Sequence, residues 1–314
     1  MTVYLDIYTC RDEYDFYNAL AAAVLKQTAT RPEQWMENAR DFITRLTPKL
    51  SFSPEANSDF SISLGITPRT HTPEEVLQLA ETVAIKRNKR IVVCLDEFQQ
   101  IGEMTNSISL QRQLRSVWQH QQHTSYCLFG SKRHVMSNFF QQRNMPFFQF
   151  GDIMTLQRID TATWIEYITS HFEQRDRHIS SELAHHICDI THNHSSYVQQ
   201  LSWAVFTQLN PGQTVTQQHL QCAVNDMLDN LDNLFLQQIE PLSSYQLNML
   251  RAIIHGTHTG FGVKNVRERF NLGSASNIAR LRTALIDKEL IDQEGKELHI
   301  TDPMFVLWFK RRGF

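Results

Sequence analysis

The chain has few cysteines, no long apolar run and almost no net charge, and each shortage excludes something. Its five cysteines, Cys10, Cys94, Cys127, Cys188 and Cys222, are scattered, odd in number and never close in sequence, which argues for a reducing cytosol and against a disulfide framework. Cys94 and Cys127 sit inside apolar runs, and the expectation for both is a buried, inert thiol. No apolar stretch approaches the length of a membrane span, and Asp6, Arg11 and Asp12 interrupt what would have to be a leader sequence, so the chain is expected to be cytoplasmic, away from membranes. With 30 basic and 33 acidic side chains the formal charge is −3, which provides no overall attraction to nucleic acid. Also missing from the 314 residues is any Gly-x-x-x-x-Gly-Lys-Ser/Thr, the loop whose amides and lysine cradle nucleotide phosphates.

What remains is the composition of an ordinary folded protein, 41% hydrophobic and 20% charged, long enough for two or three domains. Val3 to Tyr8 reads as a strand, followed by a helix over Glu13 to Gln27. Residues 30–72 are richer in Pro, Ser, Thr and Asn and read as an insertion, with a helix near Glu33 to Leu46 and a short hairpin at Phe60 to Ile66. Thr72-Pro73-Glu74-Glu75 carries the cap, first-turn proline and acids of a helix start. Ile91 to Leu95 is a buried strand that ends in two adjacent acids, Asp96 and Glu97. A helix marked by Leu110, Leu114, Val117 and Trp118 leads to a strand at Tyr126 to Phe129, with Ile153 to Leu156 as a last short strand. This alternation predicts a mainly parallel sheet covered on both faces.

Past Asp160 the pattern turns helical. Thr163 to Glu173, Ser180 to Asp189, Ser196 to Leu209 and Thr216 to Gln238 all carry helical periodicity. Three shorter helices, at Ser243 to Ile254, Val263 to Phe270 and Ser276 to Lys288, precede a hairpin with Glu294-Gly295 at its tip, the order of a winged helix-turn-helix. Asp302 and Pro303 then open a final helix with Phe305, Trp308 and Phe309 on one face.

Val92-Val-Cys-Leu-Asp-Glu-Phe-Gln-Gln100, Phe129-Gly-Ser-Lys-Arg-His134, Tyr197-Val-Gln199 and Thr301-Asp-Pro-Met-Phe-Val-Leu-Trp308 together resemble the archaeal-type ATPases of the AAA+/STAND P-loop group, over nearly the whole chain. The resemblance implies an α/β fold of P-loop NTPase type, a three-layer parallel sheet without its first strand and P-loop. A helical lid and a winged helix follow, with expected divisions at 1–159, 160–241 and 242–314. It implies ATP and Mg²⁺ as cofactors. Asp96 would hold Mg²⁺ through water, and Glu97 would polarise the attacking water. Ser131 would act as a sensor beside them, Arg133 and Arg115 would meet phosphate charge, and Tyr197 would help position the lid against the base. Family members begin upstream of the strand that starts at Tyr4, with a first strand lying between those of Tyr126 to Phe129 and Ile153 to Leu156. The resemblance thus implies the later parts of an ATP-dependent switch, whose activity as an enzyme is left open by the missing loop. Two alternatives stand beside it: a nucleotide-independent pseudo-ATPase scaffold, and a DNA-binding regulator acting through its winged helix. Asn277, Arg280, Arg282, Lys288 and Lys296 could meet phosphates, but Glu289, Asp292, Glu294 and Glu297 crowd the same region, which favours a protein partner or docking within the chain over DNA.

Overall fold

The computed structural model describes residues 1–29 and 73–314, which form two compact units, Met1–Met154 and Thr155–Phe314. The helix expected near Glu33 to Leu46 and the hairpin at Phe60 to Ile66 lie outside the described residues.

In the first unit, β1 (Thr2–Asp6) runs into α1 (Glu13–Thr28), whose first amides, those of Tyr14 and Asp15, donate to the Asp12 carboxylate at 2.9 Å each. The helix expected after Pro73 appears as α2 (Pro73–Leu77) and α3 (Leu79–Arg87). Bonds from Gln78 N to Glu74 O and from Thr82 N to Gln78 O, both 2.9 Å, carry the helical pattern across the junction. Then come β2 (Ile91–Asp96), α4 (Ser107–Trp118), β3 (Thr124–Leu128) and α5 (Arg133–Gln141). The three strands are parallel in the order β1-β2-β3, so β2 is central.

Strand geometry sends alternate residues to opposite faces, and here the two faces differ. Val3 and Ile7 of the β1 segment, with Ile91, Val93 and Leu95 of β2, are fully buried in one core with Phe16, Leu20, Val24, Leu77, Leu110 and Leu114. The opposite face carries Tyr4, Val92 and Phe129, which are 49%, 38% and 38% exposed. Among the described residues one face of the sheet is packed and the other carries these partly exposed side chains. The expectation of two buried thiols is corrected there. Cys127 is exposed and Cys94 half-buried, because both belong to the open face.

The strand expected at Ile153 to Leu156 is absent, and Ile153, Met154 and Leu156 are 52%, 84% and 85% exposed. A strand exists only where its amides and carbonyls meet a neighbouring ladder. Among the described residues nothing pairs with the outer edge of β3, so the apolar pattern of 153–156 has no ladder to join.

The second unit begins with four helices, α6 (Thr161–Glu173), α7 (Ser181–Thr191), α8 (Ser195–Phe206) and α9 (Gln217–Ile239). These form the helical lid. The winged helix follows as α10 (Ser244–Ile254), α11 (Lys264–Arg269), α12 (Ala275–Asp287), the hairpin β4 (Ile291–Glu294) and β5 (Glu297–Ile300), and α13 (Pro303–Arg312). Gly295, at φ 62°, supplies the left-handed residue that the tight hairpin needs. One hydrophobic core runs through all of it, from Trp164 and Ile168 to Trp308 and Phe309. No helix among the described residues is long and apolar enough to cross a membrane.

The last helix shows how the two parts of this unit are joined. Asp302 caps α13 through the amides of Met304 and Phe305 at 2.8 and 3.2 Å, and its other oxygen accepts the Tyr197 hydroxyl of α8 at 2.6 Å. Trp308, with no exposed surface, lies tilted against the rings of Phe235, Phe305 and Phe314 and donates its indole N–H to Asp232 of α9 at 2.7 Å. Arg312 forks onto the same carboxylate, and Arg311 reaches Asp229 at 2.7 Å. Trp308→Ala removes the largest buried side chain of this core and leaves Asp232 short of a donor. It is expected to cost about 3–5 kcal/mol of unfolding free energy, read by circular dichroism in a urea titration. An unchanged midpoint would contradict this packing.

Candidate functional site

The two acids lie where a parallel strand ends, the usual place for a ligand in an α/β protein. Asp96 is the last residue of β2 and lies in register with Asp6 of β1. Glu97 follows with φ 54° and ψ 40°, a left-handed conformation uncommon for a residue with a Cβ, and it starts the 3₁₀ turn Phe98–Glu103. That twist turns the chain sharply off the strand. Phe98 N then bonds Phe129 O at 2.9 Å while Phe129 N bonds Leu95 O at 3.1 Å, so the ends of β2 and β3 are tied together.

Both acids are engaged by protein groups. Asp96 Oδ2 accepts the Tyr4 hydroxyl at 2.6 Å and Oδ1 accepts the Glu97 amide at 2.8 Å. Glu97 Oε2 accepts the Gln99 side-chain amide in a short contact, and the Ser131 hydroxyl at 3.3 Å. The bond to Asp96 and the negative field of Asp96, Asp6 and Glu97 push the Tyr4 phenol up to about 12. Sequence alone placed Asp96, Glu97 and Ser131 at one end of the sheet, and the structure brings them together there. Tyr4 and Gln99 were missed. Tyr4 was legible in retrospect: it is two residues before Asp6, on the same strand face, and the register sets it beside the strand that ends in Asp96.

The remaining residues of interest lie elsewhere. Arg133 is the first residue of α5, and its amide bonds Ser131 O at 3.1 Å. Arg115 donates to the carbonyls of Pro146 and, at 3.0 Å, Phe148, with the Phe150 ring 5.7 Å from its guanidinium carbon; it pins the 146–150 segment to α4. Tyr197 belongs to the second unit and gives its hydroxyl to Asp302, as described above. His192 occupies the left-handed C-cap of α7, where burial, and then the charge of Arg158, lower its pKa. Among the described residues no three His, Cys, Asp or Glu side chains converge in a way that could hold a metal. The ATP and Mg²⁺ implied by the resemblance thus have Asp96 and Glu97 as acidic groups at the strand end, and no phosphate cradle in this sequence.

A family model described as a probable winged helix domain matches residues 233–311. No curated protein matches the chain. Among solved structures, the fold is similar to a Walker-type ATPase of Pyrococcus abyssi, at 13% identity over 98% of this chain and 84% of that one, with a TM-score of 0.65. It is also similar to the ORC2 protein of Aeropyrum pernix in its ADPNP–ADP complexes, at 13% identity over 99% and 78% of the two chains, TM-score 0.53. The ADP form of that protein gives 13% identity, 99% and 77% coverage and a TM-score of 0.52. At such identities the likeness is one of fold alone.

Gly130 lies against the Gln99 side chain. A Cβ there would stand 1.9 Å from Gln99 Oε1, and Gln99 is buried, with that oxygen lacking any partner. Gly130→Ala is therefore expected to drive the Gln99 amide off Glu97 at a cost of about 1–3 kcal/mol. The combined Gln99→Ala/Gly130→Ala variant should lose less than the sum of the two single losses in urea denaturation. Additive losses would show that Gln99 does not occupy that space.

Proposed function

We propose that this chain is a nucleotide-independent scaffold that keeps the architecture of an AAA+/STAND ATPase without its chemistry. The observation that carries the reading is the engagement of both acids by protein groups: Asp96 accepts from Tyr4 and the Glu97 amide, and one oxygen of Glu97 accepts from Gln99 and Ser131. In a working phosphoryl-transfer site these oxygens would be left to hydrated Mg²⁺ and the attacking water. In a sequence with no phosphate loop, a triphosphate would also lack the amide cradle and lysine that offset its charge. Here the acids serve as acceptors that fix the ends of β2 and β3.

The rival reading is an ATP-driven switch, in which Asp96 holds Mg²⁺, Glu97 activates water, Ser131 senses the terminal phosphate, and Arg133 and Tyr197 face the nucleotide. In such a switch ATP links the α/β core to the helical lid, and the winged helix relays or restrains that motion. The continuous core of the second unit and the ties of α13 to Tyr197, Asp229 and Asp232 argue for a lid and winged helix that act as one body. On this reading the division at 241/242 separates two topological modules that share one core, and the α/β domain ends near 159. The partner of the winged helix is a protein rather than DNA. Arg280, Arg282, Lys288 and Lys296 are exposed, but the exposed acids Glu289, Glu294 and Glu297 alternate with the last two and dilute any positive footprint.

Titration calorimetry of the purified chain with Mg-ATP tests the proposal. No saturable heat is expected through the micromolar range. One-site binding at micromolar concentration would overturn the scaffold reading and restore the switch.

A further inference from the structure

The open face of the sheet carries a feature that the scaffold reading does not use. Cys94 of β2 and Cys127 of β3 are direct partners in the parallel register, and both side chains belong to the face that is open among the described residues. Neighbouring strands run about 4.8 Å apart, inside the window of roughly 4.4–6.8 Å between Cα atoms that a disulfide accepts. The two thiols are unlinked, with Cys127 exposed and Cys94 half-buried beside it. The other three cysteines share none of this: Cys10 and Cys188 are buried, and Cys222 is exposed but alone on α9.

We infer that Cys94 and Cys127 form a reactive dithiol pair that closes to an intrachain disulfide by exchange with a small disulfide of the glutathione type. Exposure makes the Cys127 sulfur the attacking group. Its thiolate attacks one sulfur of the small disulfide, that S–S bond breaks, a Cys127 mixed disulfide forms, and one small thiolate leaves and takes up a proton. Cys94 then loses its proton to solvent and attacks the Cys127 sulfur, forming the Cys94–Cys127 bond and expelling the second small thiolate. Two protein thiols are oxidised and one small disulfide is reduced to two thiols. Burial, and then the neighbouring Cys127, hold the Cys94 thiol above its ordinary pKa. Closure staples central β2, which ends in Asp96, to the outer strand that leads to Ser131.

The test is oxidised glutathione added to the full chain at neutral pH, followed by alkylation and peptide mapping. Protection of buried Cys10 and Cys188 marks the reacting species as folded. The expected result is a cross-linked Cys94–Cys127 peptide pair, two hydrogens lighter than its parts, while Cys222 carries only glutathione or alkyl. In Cys94→Ser the second step is lost, and the Cys127–glutathione adduct should rise by about an order of magnitude, since the resolving thiol acts at millimolar effective concentration. Alkylation of both Cys94 and Cys127 in the wild-type chain would overturn the inference. So would a Cys127 adduct equally abundant with and without Cys94.

Discussion

Strand β2 is the one described strand with hydrogen-bonded neighbours on both edges, and the first unit is organised around that fact. Its buried residues, Ile91, Val93 and Leu95, form the floor of the core, while its alternate residues, Val92, Cys94 and Asp96, belong to the open face. The same alternation aligns Tyr4, Cys94 and Cys127 in one row across three strands. From this one ladder follow the position of the two acids, the reach of Tyr4 to Asp96, and the pairing of the thiols. The outer edge of β1 is finished in a different way: the Gln27 side chain of α1 accepts from Tyr4 N at 2.8 Å and donates to Tyr4 O at 2.7 Å, standing in for a strand neighbour.

In the second unit the corresponding constraint is a carboxylate shared by two side chains through three hydrogen bonds. Asp232 accepts from Trp308 and twice from Arg312, and the interaction with Arg312, then with Trp308, lowers its pKa. Asp302 does similar service at the other end of α13, capping the helix while it holds Tyr197. A helix tied at both ends and carrying Trp308 in its middle is poorly suited to being a moving part. Those ties hold the winged helix and the lid together as one body.

Much of this fold was legible in the residues. Apolar runs and caps placed β1, β2, β3 and the helices of the second unit close to where they lie, and the Asp302-Pro303 start with Phe305, Trp308 and Phe309 on one face was enough to foresee a buried final helix. The failures share one cause. The run Ile91 to Leu95 looks the same whether one sheet face is covered or two, so the open face, the exposed Cys127 and the half-buried Cys94 could not be read from it. Ile153 to Leu156 has the composition of a strand, but a ladder is a property of two strands, and a single segment does not announce whether its neighbour exists. At the site, the acids and Ser131 were visible as a pattern. Tyr4 and Gln99 were not, because their roles depend on register and on the left-handed turn at Glu97.

The claim on which the account turns is that Asp96 is a structural acceptor held by Tyr4, and the ionisation of Tyr4 reports on it directly. With its phenol raised to about 12 by the bond to Asp96, Tyr4 should still be protonated near pH 11, roughly one unit past the ordinary tyrosine value of about 10. Carbon-13 tyrosine spectra of the wild-type chain and of Asp96→Asn, recorded across that range, separate the cases. The account predicts that Tyr4 ionises above the ordinary value in the wild type and closer to it in the variant; a wild-type Tyr4 that titrates at the ordinary value, unmoved by Asp96→Asn, would contradict it.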